Sequence, residues 1–278
     1  MRPRITVLVD NFVPRPGRIL GEYGLSLLVE VGDLRILYDA GATGEALVRN
    51  AEELGVDLKR LDYLVLSHRH SDHTGGVLRL LEARGGGTLP LVAHPKLFEP
   101  ALVVDGGRWR DIGAPFSEHD LRLRGARPIL LREPLRLGDG VWFSGEVPRD
   151  RGPSHADGMF SPRGGRMEPD PMEDDAAIYV DVGDGFLAVT GCGHSGVENI
   201  VELGARLTGK RPVALVGGLH LMRSSDSRIE EVAGYLGSRS LRSMVPLHCT
   251  GPRAHWKLSS ALGGAYRLSG AGDVIELG

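Results

Sequence analysis

A chain of 278 residues, 41% of them hydrophobic, is long enough to bury a large core without a partner. Its 33 basic and 36 acidic residues leave a formal charge of −3 and form no basic block suited to a phosphate backbone, so nucleic acid is not an expected partner. Cys192 and Cys249 are too few for a disulfide framework, and no apolar run approaches the roughly 20 residues needed to span a bilayer. A cytoplasmic location with no membrane partner is the resulting expectation.

The chain opens with strands expected at Ile5 to Asp10, Tyr23 to Val31 and Leu34 to Asp39, the last two joined by a two-residue turn at Gly32-Asp33. Ala46, Leu47, Ala51 and Leu54 recur at helical spacing between Thr43 and Gly55, the glycine serving as a C-cap. A short strand at Tyr63 to Leu66 follows, then a helix from about Gly75 to Ala83 and a strand at Leu89 to Ala93. Pro100 to Pro134 and Gly145 to Asp175 are rich in Gly, Pro, Arg and Asp with little periodicity, which suggests a lid-like insertion at about 100–175. The second half places strands at Val141 to Ser144, Ala176 to Val182 and Phe186 to Thr190, with a turn at Gly183 to Gly185. Helices follow near Val197 to Leu207 and Asp226 to Leu236, with further apolar runs at Val213 to Val216, Ser243 to Leu247 and Val274 to Leu277. Strand pairs followed by strand-helix alternation in both halves suggest one domain over 1–278 with two similar halves, their sheets packed face to face and helices outside.

Four apolar runs lead into histidines: Tyr63 to Leu66 into His68, Phe186 to Thr190 into His194, Val213 to Val216 into His220, and Met244 to Leu247 into His248. Strand ends lie side by side in a layered α/β fold, so these side chains can converge on one ligand. The densest cluster is His68-Arg69-His70-Ser71-Asp72-His73-Thr74-Gly75-Gly76. Residues two apart on an extended segment point the same way, so His68 and His70 can meet one cation while the turn brings Asp72 and His73 to a second. Imidazole and carboxylate suit zinc, and also manganese or iron. His194 in Gly-Cys-Gly-His-Ser-Gly and His248 in Pro-Leu-His-Cys-Thr-Gly read as further ligands; His220 reads either as a ligand or as an acid/base group. Both cysteines read as small apolar filler, and His94, His119, His155 and His255 as structural or exposed.

With Asp39 in Leu-Tyr-Asp-Ala-Gly before it and the later histidines after it, this cluster resembles the metallo-β-lactamase superfamily over essentially the whole chain. Ser144 to Arg149, Asp174 to Ala177, Thr190 to Gly196, Gly217 to His220 and Pro246 to Gly251 are also similar to the branch of dihydropterin-methyl-aminobenzene ribofuranosyl-phosphate synthases. The resemblance implies a four-layer αβ/βα sandwich with one or two divalent metals, zinc foremost, in a groove at the sheet edges. It implies His68, His70 and His194 on the first metal and Asp72, His73 and His248 on the second, with Asp39 organising the histidines from behind. Where most members carry a bridging aspartate, this chain has His220, which implies a less fully bridged pair.

The expected activity is hydrolysis by a metal-bound hydroxide, formed because the metal lowers the pKa of water from 15.7 toward about 7. The substrate expected is a small phosphorylated or other anionic ester. Asp72 would orient the hydroxide, His220 would protonate the leaving oxygen, and Arg163 and Arg166 would bind the substrate anion. The alternatives are a pterin-pathway synthase that displaces pyrophosphate and a non-heme iron redox enzyme of the same fold.

Overall fold

The computed structural model describes residues 2–151 and 158–277. Seven strands form the first sheet in the order Val274–Glu276, Arg4–Val9, Ser26–Val31, Leu34–Tyr38, Tyr63–Val65, Leu89–Ala93 and Ala126–Leu130. Six form the second: Ser243–Pro246, Pro212–Gly217, Phe186–Thr190, Ala177–Asp181, Val141–Phe143 and Leu135–Gly138. Alternate side chains of the two sheets meet in one core, where Val7, Leu27, Ile36 and Val65 pack with Phe143, Ile178, Val189 and Val216. The opposite faces are apolar too, and helices cover them. Glu45–Glu53 and Val77–Arg84 bury Leu47, Leu80 and Leu81 against the first sheet. Val197–Thr208, Asp226–Ser238 and Pro252–Leu262 bury Ile200, Val232 and Leu258 against the second. The result is the expected four-layer αβ/βα sandwich. Each fully buried Leu, Ile or Val in these layers contributes about 1.5–3 kcal/mol relative to exposure.

Topology places the site. Leu34–Tyr38, Tyr63–Val65 and Leu89–Ala93 run parallel, as do Phe186–Thr190, Pro212–Gly217 and Ser243–Pro246. The residues just after these strands therefore gather at one edge of the sandwich: Asp39, the His68 cluster, His194, His220 and His248.

The helix expected at Gly75 to Ala83 begins earlier, as a short turn at Ser71–Thr74 followed by Val77–Arg84. A Cβ on Gly76 would lie 2.0 Å from the Ala40 carbonyl oxygen, so this pair of glycines lets the cluster press against the loop after Leu34–Tyr38. The strand expected from Tyr23 starts only at Ser26, which leaves Tyr23 on a loop beside the site.

The insertion expected over about 100–175 is not continuous. Glu118–Leu123, Ala126–Leu130, Leu135–Gly138 and Val141–Phe143 belong to the sandwich. What stands apart is a four-stranded sheet of two hairpins, Leu102–Asp105 with Arg108–Asp111 and Met159–Arg163 with Arg166–Pro169. The hairpins pair through Val103 and Met159, and Trp109 meets Phe160 edge to face at 5.2 Å. Two-stranded ribbons exposed on most positions lack the burial alternation by which strands are recognised in sequence.

Candidate metal centre

Asp39 organises the first strand ends. Its backbone has φ 62, in the left-handed region, and its carboxylate accepts three hydrogen bonds. Oδ1 accepts from the Ser67 backbone N–H at 2.7 Å, and Oδ2 from Ser67 Oγ at 2.7 Å and His73 Nδ1 at 2.7 Å. Because Ser67 Oγ gives its proton to Asp39, it accepts from His68 Nδ1 at 2.9 Å. The Nε2 atoms of His68 and His73 are thereby turned toward the cluster, and in the neutral ring each is a bare acceptor. On the far side, Asn11 Oδ1 accepts from His248 Nδ1 at 2.9 Å and Asp10 Oδ1 accepts from the His248 backbone at 2.8 Å, so His248 Nε2 is bare as well.

Those bare atoms face one another. His73 Nε2 and His248 Nε2 are 3.2 Å apart, His248 Nε2 and Asp72 Oδ2 are 3.2 Å apart, and His73 Nε2 lies 3.9 Å from Asp72 Oδ2. His68 Nε2 lies 3.1 Å from His70 Nδ1. Two imidazole nitrogens bound to one tetrahedral zinc at about 2.0–2.1 Å stand about 3.3 Å apart. Lone pairs crowded in a buried site without protons between them repel, and a cation removes that cost. The donor set therefore fits a divalent metal. Donor atoms of His68, Cys192 and His194 lie within 4.8 Å of one another, as do those of His73, Cys192 and His248 and those of His68, Asp72 and His73.

The local field agrees. Burial pushes His68 well below the usual imidazole range and His70 down to about 4, so both are neutral ligands at neutral pH. Burial alone would lower His73, yet Asp39 and Asp72 pull it up to about 9. Positive charge is thus stabilised at that point, whether it arrives as a proton or a metal. Burial opposes the Asp72 carboxylate, but His73 and His248 hold it far below its usual range and keep it ionised. Burial and the neighbouring Cys249 push the Cys192 thiol well up, so it stays protonated until a cation takes the proton's place.

Three aspartates to which the sequence assigned no role hold the loops of the cluster. Arg69, inside the histidine cluster, is fully buried; its guanidinium donates to Asp170 and Asp174, and its backbone N–H to Asp174 at 2.9 Å. Asp175 accepts from the backbone and hydroxyl of Ser195 at 2.9 and 2.6 Å, fixing the loop that carries His194. Gly191, at the start of that loop, has no room for a side chain, since a Cβ would sit 2.1 Å from Ser67 Oγ.

A cleft of about 260 Å³ opens onto the cluster, lined by His70, Asp72, Cys192, His194 and His220 at its floor. Val103, Ile112 and Met159 reach it from the small sheet and its flank. His220 stacks on His194 with centroids 4.1 Å apart, half-buried and with φ 49. Tyr23 meets His248 edge-on at 5.0 Å at the rim. Arg163 and Arg166, expected to bind substrate, face each other across their hairpin; Arg163 lies 3.4 Å from Glu173, Arg166 is exposed, and neither lines the cleft. Among the described residues, the arginines that line the cleft are Arg110 and Arg223. Hairpin and loop geometry, not local sequence, decides which arginines arrive there. His94 accepts from the Lys96 backbone at 3.2 Å and His255 pairs with Tyr266 at 2.8 Å, both structural as expected, whereas His155 lies outside the described residues.

A family model described as the metallo-beta-lactamase superfamily matches residues 20–206, more than half of the chain. The chain belongs to the metallo-β-lactamase superfamily. A Methanocaldococcus jannaschii 7,8-dihydropterin-6-methyl-4-(beta-D-ribofuranosyl)-aminobenzene-5'-phosphate synthase is 26% identical, covering 98% of this chain and 96% of its own length. An uncharacterized protein of the same archaeon is 32% identical over 92% of this chain and 93% of its own. The crystal structure of a metal-dependent hydrolase of the β-lactamase superfamily superposes with a TM-score of 0.84 at 27% identity, covering 99% of each chain. These relationships agree with the sandwich, with metal binding at the strand ends, and with membership of an enzyme superfamily. Among the described residues no helix is long and apolar enough to cross a membrane.

Proposed function

We propose that the protein is a metal-dependent hydrolase of a small phosphorylated or other anionic ester. The observation that carries the reading is a cleft whose floor is the metal-ligand cluster and whose lining includes two arginines, Arg110 and Arg223. A divalent metal bound at the cluster supplies hydroxide at neutral pH and Lewis acidity toward the oxygen under attack. Asp72, kept ionised by His73 and His248, accepts a hydrogen bond from the attacking water and aligns it. His220, in the cleft beside His194, is placed to protonate the leaving oxygen. Arg110 and Arg223 grip the non-reacting anionic group, for which guanidinium forks are suited.

The test is a panel of phosphodiesters, phosphomonoesters, carboxylic esters, lactones and thioesters offered to metal-loaded protein. Arg110→Ala and Arg223→Ala are each expected to raise KM about 10- to 100-fold on phosphorylated substrates, the worth of one charge-assisted contact, with metal content unchanged. Equal losses on neutral and charged esters would reject the anion-binding role.

Full-length similarity to the archaeal synthase favours a second reading, condensation with loss of pyrophosphate. A pyrophosphate assay with a dihydropterin diphosphate and a phosphorylated aminobenzene riboside separates the two. Pyrophosphate formed only when both are present supports the synthase.

A further inference from the structure

Of the ligand atoms at the site, Cys192 Sγ alone falls both within reach of His68 and His194 and within reach of His73 and His248. From this juxtaposition we propose that Cys192 is a metal ligand and that its thiolate bridges the two metal positions. The inference rests on the metal-centre reading above and goes beyond it in naming the bridge.

Cys192 follows the strand Phe186–Thr190, two residues before His194, and is 97% shielded from solvent with its sulfur 3.1 Å from His73 Nε2. A thiolate at about 2.3 Å and an imidazole at about 2.0–2.1 Å on one tetrahedral zinc stand about 3.5 Å apart, so this contact suits two ligands of one ion. His73 Nδ1 is committed to Asp39, so Nε2 is the atom turned toward the sulfur, and a metal bound between them would displace the proton that the contact holds. Cys249, the other thiol, shares a group of donor atoms within 4.8 Å with Cys192 and His220, but among the described residues it shares none with His68, His73, His194 or His248; it also accepts from the His220 backbone N–H at 3.2 Å and points at the Cys192 carbonyl at 3.5 Å. Cys192 Sγ shares one group of donor atoms with His68 and His194 and another with His73 and His248, and a thiolate carries enough lone pairs to serve an ion in each. On binding, the thiol proton would leave to solvent and the thiolate would offer a separate lone pair to each cation. A soft bridging ligand also selects zinc or iron over manganese.

X-ray absorption at the zinc edge of the zinc-loaded full chain tests this directly. A bridging thiolate gives one sulfur neighbour per zinc at about 2.3 Å. The Cys249→Ser protein should keep that sulfur, and Cys192→Ser should lose it while retaining histidine neighbours. In cobalt-loaded protein a near-ultraviolet thiolate-to-metal band should be present, survive Cys249→Ser and vanish in Cys192→Ser. Circular dichroism of Cys192→Ser checks that the fold is intact; should it fail to fold, the Cys249→Ser spectra decide, since only one thiol then remains and a thiolate-to-metal band can come from it alone. Half a sulfur per zinc, or sulfur lost with Cys249 instead, overturns the bridge while leaving the metal centre standing. No bound metal at all overturns both.

Discussion

Asp39→Asn isolates the part of the site that prepares the ligands. The substitution keeps the side-chain volume, and asparagine tolerates the left-handed backbone at this position, φ 62, at least as well as aspartate. What changes is the count of acceptors. Asp39 Oδ1 receives the Ser67 backbone N–H, and Oδ2 receives Ser67 Oγ and His73 Nδ1, each at 2.7 Å. An amide has one oxygen for these positions. If the oxygen stays with the Ser67 backbone, the NH2 group donates to His73 Nδ1 and moves the imidazole proton to Nε2, where the metal must bind. If the amide flips, its NH2 opposes the Ser67 N–H. Loss of such an orienting partner costs about 10- to 100-fold in metal affinity, or about 1.4–2.7 kcal/mol. Stepwise zinc titration against a chelator should place the larger loss on the metal held by His73. Two binding steps unchanged in the Asn variant would refute the claim that Asp39 sets the tautomer.

Removing Asp174 leaves Arg69 buried with one of its two carboxylates, so Asp174→Ala should cost about 3 kcal/mol in urea unfolding; a loss under about 1 kcal/mol would contradict the anchoring role. In chelator-treated protein, burial holds His70 at about 4 against an ordinary 6.5 and pushes His68 the same way. The unfolded chain then takes up protons that the folded chain refuses, so stability should fall as pH drops from about 6.5 to about 4, by about 3 kcal/mol from His70 alone. His73, raised to about 9, is protonated in both states across that window and adds no slope; its stabilising share is complete below 6.5 and is lost as pH rises toward 9. Denaturant curves at a series of pH values check this, and a flat profile between pH 4 and 6.5 would count against it.

The histidine cluster was legible because a buried strand followed by His68, His70, Asp72 and His73 leaves few other uses for so many donors in six positions. Asp39 entered through the family resemblance and not through a local pattern, and it is found bonded to Ser67 and His73. Partners brought together only by tertiary packing were not. Asn11 and His248 are 237 residues apart in the chain, and Asp174 reaches Arg69 across 105. Cys192 read as filler because a lone cysteine on a turn carries no periodic signal, and its place among the histidines depends on where the second sheet meets the first. Pro252–Leu262 escaped notice because it buries little beyond Ala254 and Leu258. The arginines that line the cleft carry no local signal: Arg110 lies on the hairpin that pairs with the one bearing Arg163 and Arg166, and Arg223 on the loop after His220.

On the function proposed above, the chain uses its own metal centre to split a small anionic ester with water. Mass spectrometry of products formed in heavy-oxygen water by zinc-loaded protein, run over the phosphoester and ester panel, tests it most directly. The account predicts that one solvent oxygen enters the product of a phosphorylated substrate, that a chelator abolishes the incorporation, and that added zinc restores it. Metal-loaded protein that places no solvent oxygen in any product, or incorporation that survives full metal removal, would contradict it.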